Sequence, residues 1–191
     1  MRYDKGHKDE TRRHILDVAS AQFRESGIAA VGLAGIMSEA GLTNGAFYSH
    51  FASKEELVRE VLTDALTRRE ERHKANLENG VALETTIRDY LSTRHRDRAG
   101  TGCPIAALVA EIARHPKATR DAFTGKVADI IVLMAEQIRQ GPAKERRRRV
   151  ITIYSTMVGA LQLARAVNDK SLSDEILENA VEAAVALASE R

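Results

Sequence analysis

The groups best placed to do chemistry in this 191-residue chain lie within one short stretch, GLTNGAFYSHFASKEEL, from Gly41 to Leu57. Tyr48, Ser49 and His50 bring polar tips beside Phe47 and Phe51, whose i, i+4 spacing suits burial of both rings on one helix face. What these groups can do depends on the elements that present them. Gly41 supplies a left-handed backbone that closes one helix and permits a tight turn. Thr43 or Asn44 can then cap a very short helix running to about His50. Ser53 and Glu56 have the spacing of a capping box, so a further helix starts there. Two helices joined by a glycine turn, the second short and polar, form the pattern of a DNA-binding helix-turn-helix.

With Ile36 and Ala40 before it, the stretch resembles the N-terminal DNA-binding domain of TetR-type transcriptional regulators. The match to Ala-Gly-Leu-Thr-x-Gly-x-Phe-Tyr-x-His-Phe-x-Ser-Lys-x-x-Leu runs from Ala40 to Leu57. The resemblance implies that Thr43, Asn44, Gly45 and Ala46 open a recognition helix. Thr43 can donate to phosphate, Asn44 can pair with an adenine edge, Gly45 lets the backbone approach the groove, and Ala46 can touch a thymine methyl. Tyr48, His50 and Lys54 resemble the family's phosphate contacts, Lys54 near a helix start where free N–H groups also favour anions. His50 has a structural hydrogen bond as its competing role. Where the family usually has Ser or Thr before the first motif helix, Gly32 stands here, so a hydroxyl contact is missing. Arg12 and Arg13 on the first helix are placed to compensate.

Charge alone does not make the N-terminal part a DNA binder. Residues 1–54 hold seven Lys/Arg against six Asp/Glu, and the whole chain has a formal net charge of +2. Phosphate binding must therefore come from a few placed donors. Apolar residues make up 43% of the chain and charged residues 29%, a globular balance, and the Ala, Leu, Glu and Arg content favours helix over strand. The single cysteine, Cys103, excludes an internal disulfide and a CxxC metal site, and the six histidines lack metal-ligand spacing. No cofactor motif is present. The charged N-terminus is unlike a secretory signal, and no apolar run approaches a membrane span, so a cytoplasmic location without membrane contact is expected.

In chain order, residues 1–8 read as a mobile basic arm. Asp9 or Thr11 caps a helix through Ile15, Ala19 and Phe23 that ends at Gly27; Leu33, Ile36, Met37 and Ala40 mark the helix before the turn. A long helix from Ser53 carries Leu57, Val58, Val61, Leu62, Ala65 and Leu66, then continues as a solvated charged stretch, RREERHK, to about Asn79-Gly80. It joins a second part stiffly, with no Gly/Ser/Pro linker. Further helices are expected over about 81–96, from Cys103-Pro104 to His115, and over 117–140, 144–167 and 174–189, about nine in all. The last is capped by Ser173, with Leu172 meeting Leu177 as a hydrophobic staple. The division expected is a helix-turn-helix DNA-binding domain over 1–55 and an effector-binding and dimerisation domain over 56–191.

The second part carries weaker signals. Met157, Leu161 and Ala164 step at helical spacing, as do Leu177, Ala180 and Ala184, and the small residues allow close helix approach. Read alone, the pair forms either half of a four-helix dimer interface or an internal hairpin; in TetR-type proteins the last two helices usually dimerise, so these six residues are expected at a homodimer interface. Tyr90, Cys103, Phe123, Met134, Tyr154 and Met157 can line a pocket for a small-molecule effector, with plain core as the alternative. Cys103, just before a helix start, can carry a lowered pKa and sense electrophiles or oxidants, or be a packed thiol. KERRRR (144–149) reads as a solvated face. The whole is expected to be an all-α homodimeric repressor of a near-palindromic double-stranded operator, not an enzyme, although Glu111, His115 and Tyr154 leave an all-α enzyme as a remote alternative.

Overall fold

The computed structural model describes residues 5–189, and its described residues form ten α-helices and one 3-10 turn, with no strand. The first helix, α1 (Lys5–Ser26), begins earlier than its expected caps. Thr11 lies inside it and returns its hydroxyl to the His7 carbonyl, so the part of the expected arm from Lys5 onward is helical, while residues 1–4 lie outside the described residues. Gly27 ends α1 at φ +84°. Then follow α2 (Leu33–Glu39), the turn at Gly41 with φ +70°, and the single turn α3 (Asn44–Phe47), which stops three residues short of the expected His50. Only glycine adopts these left-handed angles without strain.

Ser53 caps α4 (Lys54–Glu78) as the sequence suggests: its hydroxyl accepts from Glu56 N–H at 3.1 Å, while Glu56 accepts from Ala52 N–H. Past α4 the expected helix over 81–96 is two helices, α5 (Leu83–Tyr90) and α6 (Thr93–Asp97), because Ser92 leaves the helical conformation and caps α6 through His95 N–H. That split raises the helix count above the nine expected. A 3-10 turn (Ala99–Thr101) leads into α7 (Pro104–Ile112), and α8 (Lys117–Glu136), α9 (Ala143–Ala166) and α10 (Lys170–Ser189) complete the chain. Helix α10 starts four residues before its expected start. Asp169 caps it by accepting from Ser171 and Leu172 N–H, whereas Ser173 is buried within the helix, donates to the Ala164 carbonyl and accepts from Arg96. Leu172 is exposed and makes no staple.

The apolar side chains form two clusters. One gathers Ile15, Phe23, Ile36, Phe47 and Phe51 with Leu57 to Leu62 of α4; the other gathers Ile87, Met134, Val150, Met157 and Leu161 with Leu66. Helix α4 therefore serves both. So does α7, whose Ile105 and Ala106 belong to the second cluster and whose Leu108 and Ile112 insert into the first.

Polar joints reinforce that shared packing. The Glu111 carboxylate on α7 accepts from Ile28 N–H at 3.1 Å and Ala29 N–H at 2.9 Å, in the loop that follows α1. Arg24 of α1 donates to the Gly100 carbonyl at 2.6 Å. Glu55, in the first turn of α4, accepts from Thr119 and meets His115 Nδ1 at 2.9 Å. Glu111 and His115, two of the three groups that left an enzyme as an alternative, are thus held in structural contacts.

The arginine run is not a solvated face throughout. Arg149 is buried and donates to the Leu187 and Ala188 carbonyls near the end of α10, where helix carbonyls lack intrahelical partners. Arg146 reaches the Ile138 carbonyl, and Arg148 pairs with Glu145.

Candidate functional site

The surface expected to meet DNA is built on two buried rings. Phe47 and Phe51 stack with centroids 5.5 Å apart inside the first cluster, which also holds side chains of α1, α2 and α4. What they leave outside is Thr43, Asn44 and Gly45, all exposed, with Tyr48 at 69% exposure. Ala46 is half-buried against the first cluster. Thr43 holds the extended conformation of an N-cap, but its hydroxyl makes no capping bond and is left available to a partner. Gly32 caps α2 with no side-chain bond, as its lack of a hydroxyl requires.

Three of the expected phosphate contacts are engaged within the chain. Arg12 pairs with Glu60 and lies over the Phe51 ring at 4.6 Å, and Arg13 pairs with Asp64. Lys54 donates to the Ile28 carbonyl at 2.7 Å. His50 is half-buried, with no partner for Nδ1 among the described residues; burial, with Lys8 and Arg12 nearby, lowers its pKa.

The second site is a cavity of about 530 Å³ between α1, α4, α5, α6 and the 3-10 turn. Of the six residues expected around an effector, only Tyr90 lines it. Cys103, Met134, Tyr154 and Met157 are buried in the second cluster, and Phe123 is half-buried between the two clusters. Packing between helices decided this, and helical spacing does not encode it. Among the wall's arginines, Arg68, Arg69 and Arg72 lie in the stretch expected to be solvated. The signal was present: Arg69, Arg72, His73 and Asn76 fall at i, i+3, i+4 and i+7, one face of α4.

Behind the cavity, His95 ties α5 to α7. Its Nε2 accepts from Cys103 N–H at 2.9 Å, so Nδ1 carries the proton and donates to the Tyr90 carbonyl at 2.6 Å. Burial, aided by Arg69, Arg165 and Arg72, outweighs the Tyr90 bond and lowers its pKa to about 4. A Cβ at Gly102 would meet His95 Nε2 and an Arg165 nitrogen at 2.9 Å, so a larger residue there would have to displace the His95 ring and the Arg165 end. The Cys103 thiol is fully buried. Burial opposes its ionisation, yet the Arg69 guanidinium, the Tyr90 hydroxyl and the first N–H groups of α7 bring its pKa below the ordinary thiol value.

The residues expected at a dimer interface, Met157, Leu161, Ala164, Leu177, Ala180 and Ala184, are all buried in the chain's own second cluster, so they cannot form its contact surface. The reading of an internal hairpin holds for those faces. The pair's exposed apolar side chains are Ile151 and Leu163 on α9 and Leu172 on α10, while Val158 and Ile176 are half-buried against the second cluster.

Among the described residues no helix is long and apolar enough to cross a membrane, and no cluster of ligating side chains could hold a metal ion.

Residues 15–61 match the profile described as bacterial regulatory proteins, tetR family, and residues 81–180, more than half of the chain, match that of the tetracyclin repressor-like C-terminal domain. The chain is 43% identical over 60 residues to the HTH-type transcriptional regulator AcrR of Shigella flexneri, covering 31% of this chain and 28% of the relative. It is 42% identical over 57 residues to the HTH-type transcriptional repressor KstR2 of Mycobacterium tuberculosis, covering 30% of this chain and 28% of that one. These curated matches thus span little more than a quarter of the relatives' length. The fold is similar to the crystal structure of the reduced form of Escherichia coli NemR, with a TM-score of 0.76, 23% identity, and 92% of this chain and 95% of that one covered.

Proposed function

Because the chain belongs to the TetR family of bacterial transcriptional regulators, we propose that it is a repressor that binds a near-palindromic double-stranded operator as a homodimer and is released by a small-molecule effector. The observation that carries this reading is the surface left by α2 and α3. Thr43, Asn44, Gly45 and Tyr48 stand clear of the chain's own packing, on a turn anchored by Phe47 and Phe51. In this reading the DNA-binding domain is residues 1–55 and the effector-binding and dimerisation domain is 56–191. The two apolar clusters support that division, with α4 and α7 crossing it. Dimerisation uses the outward face of α9 and α10, where Ile151 and Leu163 are exposed apolar side chains of the kind an interface covers. The protein acts in the cytoplasm, where its operator is.

Release requires the effector to favour one spacing of the two α3 helices over another. Helix α4 runs from the first cluster to the cavity wall, and α7 runs from Cys103 beside the cavity to Glu111 beneath the loop after α1. Both are routes for the displacement. Gel-shift titration on the DNA flanking the protein's own gene tests the core of the reading. Specific binding that falls steeply with salt, weakened at least tenfold by Tyr48→Ala and Asn44→Ala with the fold intact, is the expected result; affinity indifferent to salt and to both substitutions rejects it.

A second reading keeps the operator and changes the signal. Cys103 sits beside Arg69, whose cation favours the thiolate, and since the thiol is fully buried an oxidant or electrophile reaches it only when the packing around it opens. NemR, which shares the fold, has been solved in a form described as reduced. Under this reading Cys103→Ser abolishes release of DNA by oxidants and spares release by effector; unchanged oxidant response in that variant removes it.

A further inference from the structure

Six arginines line the cavity: Arg24 from α1, Arg68, Arg69 and Arg72 from α4, Arg94 from α6, and Arg98 at the start of the 3-10 turn. Two carboxylates, Asp17 and Asp89, face them. Asp17 is already paired with Arg68, which also pairs with Asp64, and Arg24 is occupied by the Gly100 carbonyl and Ser20. Arg69, Arg72, Arg94 and Arg98 have no carboxylate partner among the described residues. On the same wall His73 is only 4% exposed, and its Nδ1 has no hydrogen-bond partner. Burial, then Arg69 and Arg72, lower its pKa to about 4, so it is neutral.

A chain with 29 Lys/Arg and 27 Asp/Glu has carboxylates enough to neutralise such a group, yet only Asp17 and Asp89 line the cavity, and Asp17 is taken up by Arg68. Guanidinium groups held close together repel, and an anion between them relieves the repulsion while meeting their planar donors two at a time. The space lies within the usual size of small-molecule sites.

We propose that this cavity binds a small organic anion carrying two or more carboxylate or phosphate groups, held by Arg69, Arg72, Arg94 and Arg98, and that this anion is the effector. The proposal rests on the repressor reading above and gives its ligand a chemical class. Because Asp17, Ser20 and Arg24 of α1 share the wall, an occupant touches a helix that packs directly on the DNA-binding turn.

Calorimetry on the full-length protein, with citrate and inorganic pyrophosphate as probes in chloride buffer of matched ionic strength, tests it. One anion per chain is expected, with the His73 ring resonances moving on binding and its titration shifting upward. Arg72→Gln combined with Arg98→Gln, both exposed positions, weakens binding at least tenfold, whereas Arg147→Gln, exposed on α9, leaves it unchanged. Tighter citrate binding assigns the carboxylate class and tighter pyrophosphate the phosphate class. Binding of neither probe, or equal weakening by Arg147→Gln, overturns the proposal. Anion binding is read without DNA, so failure of the operator titration leaves the site itself standing. Bound anion with undiminished operator affinity instead removes the effector role.

Discussion

Replacing Glu111 tests whether the two clusters are locked together through the loop after α1. Its carboxylate accepts from Ile28 and Ala29 N–H, at 3.1 and 2.9 Å. Hydrogen bonds to a charged group contribute about 1.5–3 kcal/mol each, and Ala29 is exposed enough for water to replace its share. Glu111→Ala should therefore cost about 2–3 kcal/mol, a fall in Tm of about 5–10 °C at this chain length. Gly27 sharpens the test. Its φ of +84° makes alanine strained by about 1–2 kcal/mol, and an added Cβ would sit 2.8 Å from Glu111 Oε1, forcing the carboxylate off Ile28. Gly27→Ala should then cost about 3 kcal/mol alone but only the backbone strain once Glu111 is alanine, a coupling of about 1–2 kcal/mol. Urea melts of the four proteins at one fixed protomer concentration measure it. Costs that add within 0.5 kcal/mol, or a Glu111→Ala loss below that figure, would refute the joint.

His73 gives a pH dependence. Its folded pKa lies near 4, below the usual 6.5, so its contribution is fully present above pH 6.5 and lost as pH falls towards 4, by about 3 kcal/mol; His73→Gln should remove that share of the acid-side loss in urea-determined stability and leave the share due to His95, which titrates in the same window. Arg149→Ala should cost about 2 kcal/mol by uncapping α10, while Arg147→Ala on the exposed side of the same run should change it by less than 0.5 kcal/mol, as thermal melts of both would show. Leu163→Glu on the outward face of α9 should turn a dimer into a folded monomer in sedimentation; a dimer that persists would place the interface elsewhere.

The helix-turn-helix was legible because its signals are local. A glycine that must turn left, a Ser-x-x-Glu cap and two rings at i, i+4 each act within a few residues, and each is found where expected. The cap of α10 was misread for the same kind of reason: Asp169 and Ser173 are both good cap residues, and burial of Ser173 against Ala164 and Arg96 decided between them. The break at Ser92 has a local cue, the capping hydroxyl, that helical periodicity through Tyr90 and Leu91 concealed. The cavity was not legible as a cavity. Its arginines come from α1, α4, α6 and the 3-10 turn, and in sequence each reads as an ordinary solvated charge. The small-residue stripe of α9 and α10 was found correctly but assigned to the wrong neighbour, since close approach looks alike whether the second helix belongs to the same chain or to another.

The contacts that seat the N-terminal helices have a consequence for exchange between proteins. Arg24 ends on the Gly100 carbonyl, and Glu111 ends on the N–H groups of Ile28 and Ala29. A main-chain group offers the same partner whatever side chain it carries. A foreign DNA-reading unit grafted onto this body would keep these joints with a glycine at position 27 and an arginine at 24, but would still have to match the pairs of Arg12, Arg13 and Asp17 with α4 and the apolar seat of Leu108 and Ile112. None of these joints uses the exposed Thr43, Asn44, Gly45 or Tyr48, which leaves the reading surface free to be rewritten.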